Sequence, residues 1–319
     1  MYTPISPELL SNFSRDFASD PVNSIRMHAV VKHGVSDASE NHMEDVNNPM
    51  TFSIELESGK ITDQKSSGRC WLFAGLNTMR FEIMKKLNLK TFELSQNYQM
   101  FYDKLEKANY FLESVIKTAE EPLDGRLVNF LLQNPMQDGG QWDMFAALVE
   151  KYGCVPKYVM PETYHSSATA DMVRLLTVKL REDALILRAE AGDRQALKEK
   201  MLGEIYRMLS ICLGTPPEKF DFEYRDKDKN FHRDAGLTPR EFYEKYVGQA
   251  IDDYVSIINA PTKDKPYGKT YTVDYLGNVA GGRAVKYLNL PSADLKALAI
   301  AQLKDGNRSE EHTSELQSH

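Results

Sequence analysis

The segment Thr62–Met84, TDQKSSGRCWLFAGLNTMRFEIM, contains a cysteine where a polar, glycine-containing turn meets an apolar helical pattern. Apolar side chains recur after it at spacings of three and four, as on one face of a helix: Leu72, Leu76, Met79, Ile83 and Leu87. Cys70 is therefore expected in the first helical turn, where unpaired N–H groups and the helix dipole favour a thiolate. This position suggests a nucleophile, although a small buried cysteine would fit the same pattern.

The residues before Cys70 suit the same chemistry. Arg69 adds a neighbouring positive charge, and Gly68, Ser67 and Ser66 are small enough to let the backbone approach a substrate. Gln64, six residues upstream, has a side-chain amide that could stabilise an oxyanion together with the Cys70 N–H.

Composition narrows the class of protein. The other two cysteines, Cys154 and Cys212, form no CxxC pair and are expected to be packing residues, and we expect neither a metal nor a cofactor. No run approaches the roughly 18 apolar residues of a membrane span, and the N-terminus does not resemble a secretory signal, so we expect a cytoplasmic protein without a membrane partner. The net charge of −7 disfavours nucleic-acid binding.

The stretch QKSSGRCWLF resembles the nucleophile segment of papain-like cysteine peptidases, in which a glutamine stands six residues before a Cys-Trp pair that opens the central helix. The variant Q-x-x-S-G-R-C-W is similar to the bleomycin hydrolase / aminopeptidase C branch. Further segments resemble that branch in order: LSQNYQMFYDKLEKAN, DGGQWDMF, KYGCVPKYVMPETY, FEYRDKDKNFHR, LTPREFY and INAPTKDKPYGKTYTV. The resemblance implies an α+β, papain-like fold with a helical left domain, a helical insertion and an incomplete β-barrel right domain.

The same resemblance implies that the full-length protein is a cysteine-type aminopeptidase, which removes N-terminal residues from peptides through a thioester on Cys70, with Gln64 in the oxyanion hole. Gly139 and Gly140 match the double glycine that lines the substrate cleft, although a plain glycine turn before a helix would also fit. Members of the branch assemble as hexamers, so a homo-oligomer is implied. Nucleic-acid binding is known in the family, but the acidic net charge disfavours it here.

A papain-like mechanism also needs a histidine as the base and an asparagine to orient it. The candidate histidines are poorly placed: His28, His33 and His42 precede the cysteine, and His165 lies in a loop rich in Ser and Thr. His232 follows Cys70 by 162 positions, but its segment NFHRDAG is expected to be a solvated loop ahead of the barrel domain. We predict that neither the catalytic histidine nor the catalytic asparagine is in this chain.

The final segment, RSEEHTSELQSH from Arg308 to His319, has no apolar periodicity. It resembles the translation of a short-read sequencing adapter, so we expect the natural sequence to end near Asn307 in this chain. His312 and His319 then belong to the adapter and are not candidates for the catalytic base. A natural polar tail is the other interpretation. The competing functional hypothesis is therefore a catalytically inert, truncated fragment that lacks the histidine and the asparagine.

The predicted organisation follows from these patterns. It comprises an N-terminal arm (1–57), a helical domain with the nucleophile (58–168), a helical insertion and loop (169–253), the start of a truncated β-barrel (254–307) and an artefactual tail (308–319). Within it we predict a helix capped by Ser6, a strand at 52–56, a helix at 95–107 capped by Ser95 with further helical content at 111–119, and a loop at 220–236. After the loop we predict a helix capped by Thr238, strands after 254 and a helix at 292–304.

Overall fold

The structure, a computed structural model, describes residues 2–48, 51–56, 60–248 and 251–306. It divides into two compact units between Glu55 and Leu56. The finer predicted boundaries at 58, 169 and 254 stay predictions, and the predicted tail, 308–319, lies outside the described residues.

The described residues of the first unit form three helices: α1 (Pro7–Ser19), α2 (Pro21–Ser39) and α3 (His42–Asn47). The predicted cap is confirmed, because the Ser6 hydroxyl accepts a hydrogen bond from the Leu9 N–H at 3.2 Å. Gly34, with φ of 80°, interrupts α2. The strand predicted at 52–56 was wrong, because these residues have no strand pairing.

The second unit begins with the predicted nucleophile helix. Its helices are α4 (Cys70–Lys86), α5 (Gln96–Lys117), α6 (Arg126–Gln133), α7 (Trp142–Tyr152), α8 (Tyr164–Ser167), α9 (Ala170–Ala189), α10 (Arg194–Leu213), α11 (Pro239–Phe242) and α12 (Ser292–Lys304). The helix predicted at 292–304 is confirmed. The helix predicted at 95–107 and the helical content predicted at 111–119 form the single helix α5, because residues 108–110 contain neither Gly nor Pro and Ala108 is buried in the core.

The core of this unit lies between α4, α5 and α7, with α9 and α10 packed on α5. Gly75 lets α7 approach α4 closely, because a Cβ at this position would lie 2.7 Å from the Phe145 ring. Phe145 and Leu76 are almost completely buried. This packing fixes the axis of α4 and hence the position of Cys70 at its start.

Two small sheets complete the unit. β1 (Phe220–Arg225) and β2 (Phe231–Leu237) form an antiparallel hairpin where a loop was predicted. The prediction was wrong because most side chains of the hairpin are polar, while Phe222 alone is completely buried, with its ring centroid 4.9 Å from that of Phe242.

The second sheet has the order β3 (Ile257–Ile258), β5 (Tyr287–Asn289), β4 (Thr270–Tyr271). β5 runs parallel to β3 and antiparallel to β4. The predicted strands after residue 254 are thus present in shortened form, and the predicted α+β class is confirmed.

Candidate active site

Cys70 is the first residue of α4, as the apolar pattern predicted, and its side chain is half-buried. Leu72 and Leu76 are each 1% exposed and Met79 is fully buried, so the helix behind the thiol cannot shift without disturbing the core. Arg69 occupies the N-cap position and makes no side-chain capping hydrogen bond. The positive end of the helix is therefore not covered by a capping side chain at the point where the thiol lies.

The loop before Cys70 is fixed by hydrogen bonds to a distant segment. The Ser66 N–H donates to the Ser167 carbonyl at 3.0 Å, and the Thr169 N–H donates to the Ser66 carbonyl at 3.3 Å. Within the loop, the Ser67 hydroxyl donates to the Gln64 carbonyl at 2.6 Å. These bonds hold Gln64 and Cys70 at the two ends of one rigid turn.

Arg69 does not act as the neighbouring charge that the sequence suggested. It is 2% exposed, and its Nη1 donates to Glu162 Oε1 at 3.0 Å while its Nη2 lies 2.8 Å from Oε2. Its Nε donates to the Ser67 hydroxyl at 2.8 Å. The carboxylate of Glu162 compensates this charge locally, so Arg69 holds the loop and is not a free positive charge beside the thiol.

The side-chain amide of Gln64 is not used by the fold. Its Oε1 atom is buried and has no hydrogen-bond partner among the described residues. Oε1 is an acceptor, whereas an oxyanion is stabilised by a donor, here the Gln64 Nε2–H. The place of Gln64 in an oxyanion hole stays a prediction.

The structure brings the predicted glycine pair to the start of α4. The Trp71 Nε1–H donates to the Asp138 carbonyl at 2.8 Å, and a Cβ on Gly140 would lie 2.5 Å from the Trp71 ring. A Cβ on Gly139 would meet nothing within 4 Å. Gly140 is thus needed for close packing against Trp71, whereas Gly139 faces open space.

Residues that the sequence analysis missed hold this glycine loop. The Lys104 ammonium lies 2.5 Å from Asp138 Oδ1, and the Thr169 hydroxyl donates to Asp138 Oδ2 at 2.9 Å. Burial acts to raise the pKa of Asp138, but Lys104, Thr169 and Lys107 together outweigh it and lower that pKa below the ordinary value. The adjacency of Asp138 to the double glycine was the one available signal, because lysines on a helix usually indicate a solvated face.

His232 lies on strand β2, not in a loop as predicted, and its exposure was predicted correctly. Its Nε2 is 3.0 Å from Asp226 Oδ2, an interaction that lowers the pKa of Asp226 to about 2. The turn of this hairpin contacts the chain just beyond the far end of α4, where the Lys227 N–H donates to the Asn88 carbonyl at 2.8 Å. At about 1.5 Å per residue, α4 is roughly 25 Å long. His232 is therefore not placed to act as the base for Cys70.

The remaining histidines and cysteines have other surroundings. His28, His33 and His42 are on helices of the first unit, and His165 is on α8 with its Nδ1 atom buried. Cys154 is fully buried and Cys212 half-buried, and burial raises the pKa of both thiols. The predicted packing role of these two cysteines fits this burial.

Within the described residues, no group of three or more His, Cys, Asp or Glu side chains is arranged to hold a metal ion. No helix in the same part of the chain is both long and apolar enough to cross a bilayer. The cytoplasmic location stays a prediction.

This chain is similar in sequence to known peptidases. Residues 4–309 match the Peptidase C1-like family. Aminopeptidase C of Listeria monocytogenes serovar 1/2a is 50% identical over 309 residues, which are 96% of this chain and 70% of the relative. Aminopeptidase C of Lactobacillus helveticus is 47% identical over 312 residues, with the same coverage.

Among solved structures, the crystal structure of PepW from Lactobacillus rhamnosis HN001 is similar to this chain with a TM-score of 0.93 and 54% sequence identity. The match covers 96% of this chain and 70% of that one. The described fold is therefore shared with a protein of closely related sequence.

Proposed function

Because the chain belongs to the Peptidase C1-like family, we propose that it is a cysteine aminopeptidase whose nucleophile is Cys70. One observation carries the proposal: Cys70 is the half-buried first residue of a helix anchored in the core, at the end of a loop tied to α8 and α9. The name Aminopeptidase C, borne by relatives 50% and 47% identical to this chain, supports peptides as the substrates.

The proposed chemistry is nucleophilic acyl transfer. The Cys70 sulfur attacks the carbonyl carbon of the N-terminal residue, the C–N bond breaks, and the amine leaves with a proton from a general acid. Water then attacks the thioester carbonyl, which releases the amino acid and returns the thiol. The uncapped N-terminus of α4 favours the thiolate that begins this sequence.

Gln64 and the glycine loop are further parts of the proposed site. The side-chain amide of Gln64 and the Cys70 N–H stabilise the oxyanion that forms on the carbonyl oxygen, where one such donor is typically worth roughly 10²–10³-fold in kcat. Gly139 and Gly140 form the wall of the cleft beside Trp71. Since Gly139 faces open space, a substrate main chain can approach it closely.

None of these residues supplies the general acid, and His232 is not placed to supply it. The expectation that the catalytic histidine and asparagine lie outside these 319 residues stays a prediction. The alternative of an inert chain gains no support from the relatives, which match nearly all of it and carry an enzyme name.

Peptide trimming followed by mass spectrometry tests the proposed activity. Incubated with the full-length protein, a peptide with a free α-amine should lose its N-terminal residue, while the same peptide with an acetylated N-terminus should stay intact, and N-ethylmaleimide should stop the reaction. Equal cleavage of both peptides, or cleavage that persists after all accessible thiols are blocked, would contradict a cysteine aminopeptidase.

We also propose that the protein is a homo-oligomer. Helices α1 and α2, which are fully described, contain no buried residue, and their apolar side chains are exposed: Leu10 by 56%, Phe13 by 54%, Ile25 by 70% and Val31 by 81%. Such a surface is typical of association.

Sedimentation velocity should give a mass several times that of one chain, and the double variant Leu10→Ser, Phe13→Ser should shift it toward one chain. A wild-type protein that sediments as a monomer at micromolar concentration would refute this proposal.

A further inference from the structure

The glycine loop is held by the buried ends of two lysines from α5. The Lys107 ammonium donates to the Gln137 carbonyl at 3.0 Å and to the Gly139 carbonyl at 2.6 Å. The Lys104 ammonium donates to the same Gln137 carbonyl at 2.7 Å. Since Trp71 holds the Asp138 carbonyl, three successive carbonyls of the loop are fixed by side chains of α4 and α5.

Both ammonium groups are bound within this cluster, Lys107 to three acceptors and Lys104 to two. Lys107 is 7% exposed, and its third contact is Asp103 Oδ2 at 2.9 Å, so its three N–H donors match three acceptors. Lys104 is 1% exposed and pairs with Asp138. Asp103 is itself 1% exposed and also accepts from Asn278 at 3.2 Å.

Stability alone does not explain this arrangement. Buried ion pairs contribute little to stability compared with apolar side chains of similar volume, because taking the charges out of water is costly. That cost appears in the pKa of Lys107, which burial lowers to about 8 although Asp103 acts in the opposite direction. An apolar side chain in this place would pack, but it could not bind two backbone carbonyls.

The consequence for the cleft follows from peptide geometry. In a planar trans peptide the N–H points away from the C=O, so holding the carbonyls of residues 137–139 against α5 and Trp71 directs the opposite edge of the loop outward. Gly139 is the exposed residue of that edge, and Gly140 is packed under the Trp71 ring.

We propose that Lys107 is a positioning residue for the aminopeptidase: by holding the Gly139 carbonyl against α5, it fixes the cleft wall beside Cys70. This inference rests on the proposed function. Lys107 does not touch the thiol in this role. It sets the height and tilt of the loop against which the substrate lies.

Two thiol reagents of different size test the proposal on the full chain. At Cys70, the labelling rate with iodoacetamide depends on the reactivity of the thiol and not on binding in the cleft. Leucine vinyl sulfone with a free amine must first bind in the cleft before it labels Cys70. In Lys107→Met we expect the labelling rate by the vinyl sulfone to fall roughly 10- to 100-fold, the usual effect of a misplacement of about 1 Å. The rate with iodoacetamide should stay within about twofold, because the helix N-terminus is unchanged.

Lys198→Met is the matched control. Lys198 is a lysine of similar burial, 9% exposed, paired with Glu113 between α10 and α5 and without a bond to the glycine loop. It should leave both labelling rates unchanged. The double variant Asp103→Asn, Lys107→Met removes both members of the buried pair, so it strands no charge if the single variant fails to fold, and it should show the same selective loss.

The possible outcomes separate this inference from the proposed function. Equal slowing with both reagents, or slowing with neither, would overturn the positioning role of Lys107. If the vinyl sulfone labels Cys70 of the wild-type protein no faster than it labels Cys212, the proposed active site fails and this inference fails with it.

Discussion

Replacement of Cys70 by alanine in the full-length protein should lower kcat/KM for a free-amine peptide by roughly 10⁴- to 10⁶-fold, the range found when an enzyme loses its nucleophile. The loss is large because no thioester can form, and Gln64 then has no oxyanion to stabilise. The fold should not change, since the Cys70 side chain is half-buried and the core contacts of α4 come from Leu72, Leu76 and Met79. Steady-state hydrolysis and the circular dichroism spectrum, recorded on the same preparations, check both expectations.

The controls for this variant use one other thiol, Cys212, and His232, the histidine that follows Cys70 by 162 positions. Cys212→Ala removes a half-buried thiol from α10 and should keep full activity. His232→Ala should also keep it, because the hairpin turn lies at the far end of α4. Activity retained by Cys70→Ala would refute the proposed nucleophile, and activity lost in His232→Ala would refute the placement of that hairpin.

The elements that the sequence predicted correctly are those set by local interactions. The stripe from Leu72 to Ile83 needs only helical periodicity and one apolar neighbour, and α4 has the predicted start. Ser95 caps α5 because its hydroxyl accepts from the Tyr98 N–H three residues later, at 3.0 Å. Thr238 forms a capping box with Glu241 in the same way. Such contacts lie within four residues and are therefore readable from the chain.

The features that the sequence did not reveal depend on distant partners. The hairpin of β1 and β2 has mostly polar strands, and its one buried anchor, Phe222, packs on Phe92, which lies far away in the chain. Lys104 and Lys107 look like a solvated helix face until the loop at 137–139 covers them. A charge in a sequence carries no mark of burial, because burial is decided by segments that pack on it later in the chain.

The same limit explains the different role of Arg69. Beside Cys70 in the sequence, it suggested an activating charge, yet Glu162, 93 positions later, binds its guanidinium. The sequence therefore predicts a nucleophile, an oxyanion amide and a glycine pair, whose roles stay predictions, but it does not predict the ion pairs that hold these segments. The contribution of one of them, the Arg69–Glu162 pair, to the free energy of unfolding can be measured directly.

Replacement of Glu162 by methionine should destabilise the fold by roughly 3–5 kcal/mol, the usual cost of removing one partner of a buried ion pair. Arg69 is 2% exposed and would be left as a charge without its carboxylate. The Ser166 hydroxyl, which donates to Glu162 Oε2 at 2.6 Å, would lose an acceptor as well. For each protein, the midpoint of urea unfolding multiplied by the m-value gives the free energy of unfolding. The difference between the wild type and the variant is the change in stability.

A double-mutant cycle separates the stranded charge from the loss of packing. In Arg69→Met, Glu162→Met no buried charge remains, so most of the lost stability should return. Lys65→Met is the matched surface control, because Lys65 and Asp63 are 64% and 60% exposed, and it should change stability by less than about 1 kcal/mol. A Glu162→Met variant within about 1 kcal/mol of the wild type would show that water or another group compensates Arg69. In that case the loop before Cys70 would be held by Ser66 and Ser67 alone, and the double variant should label with iodoacetamide as fast as the wild type.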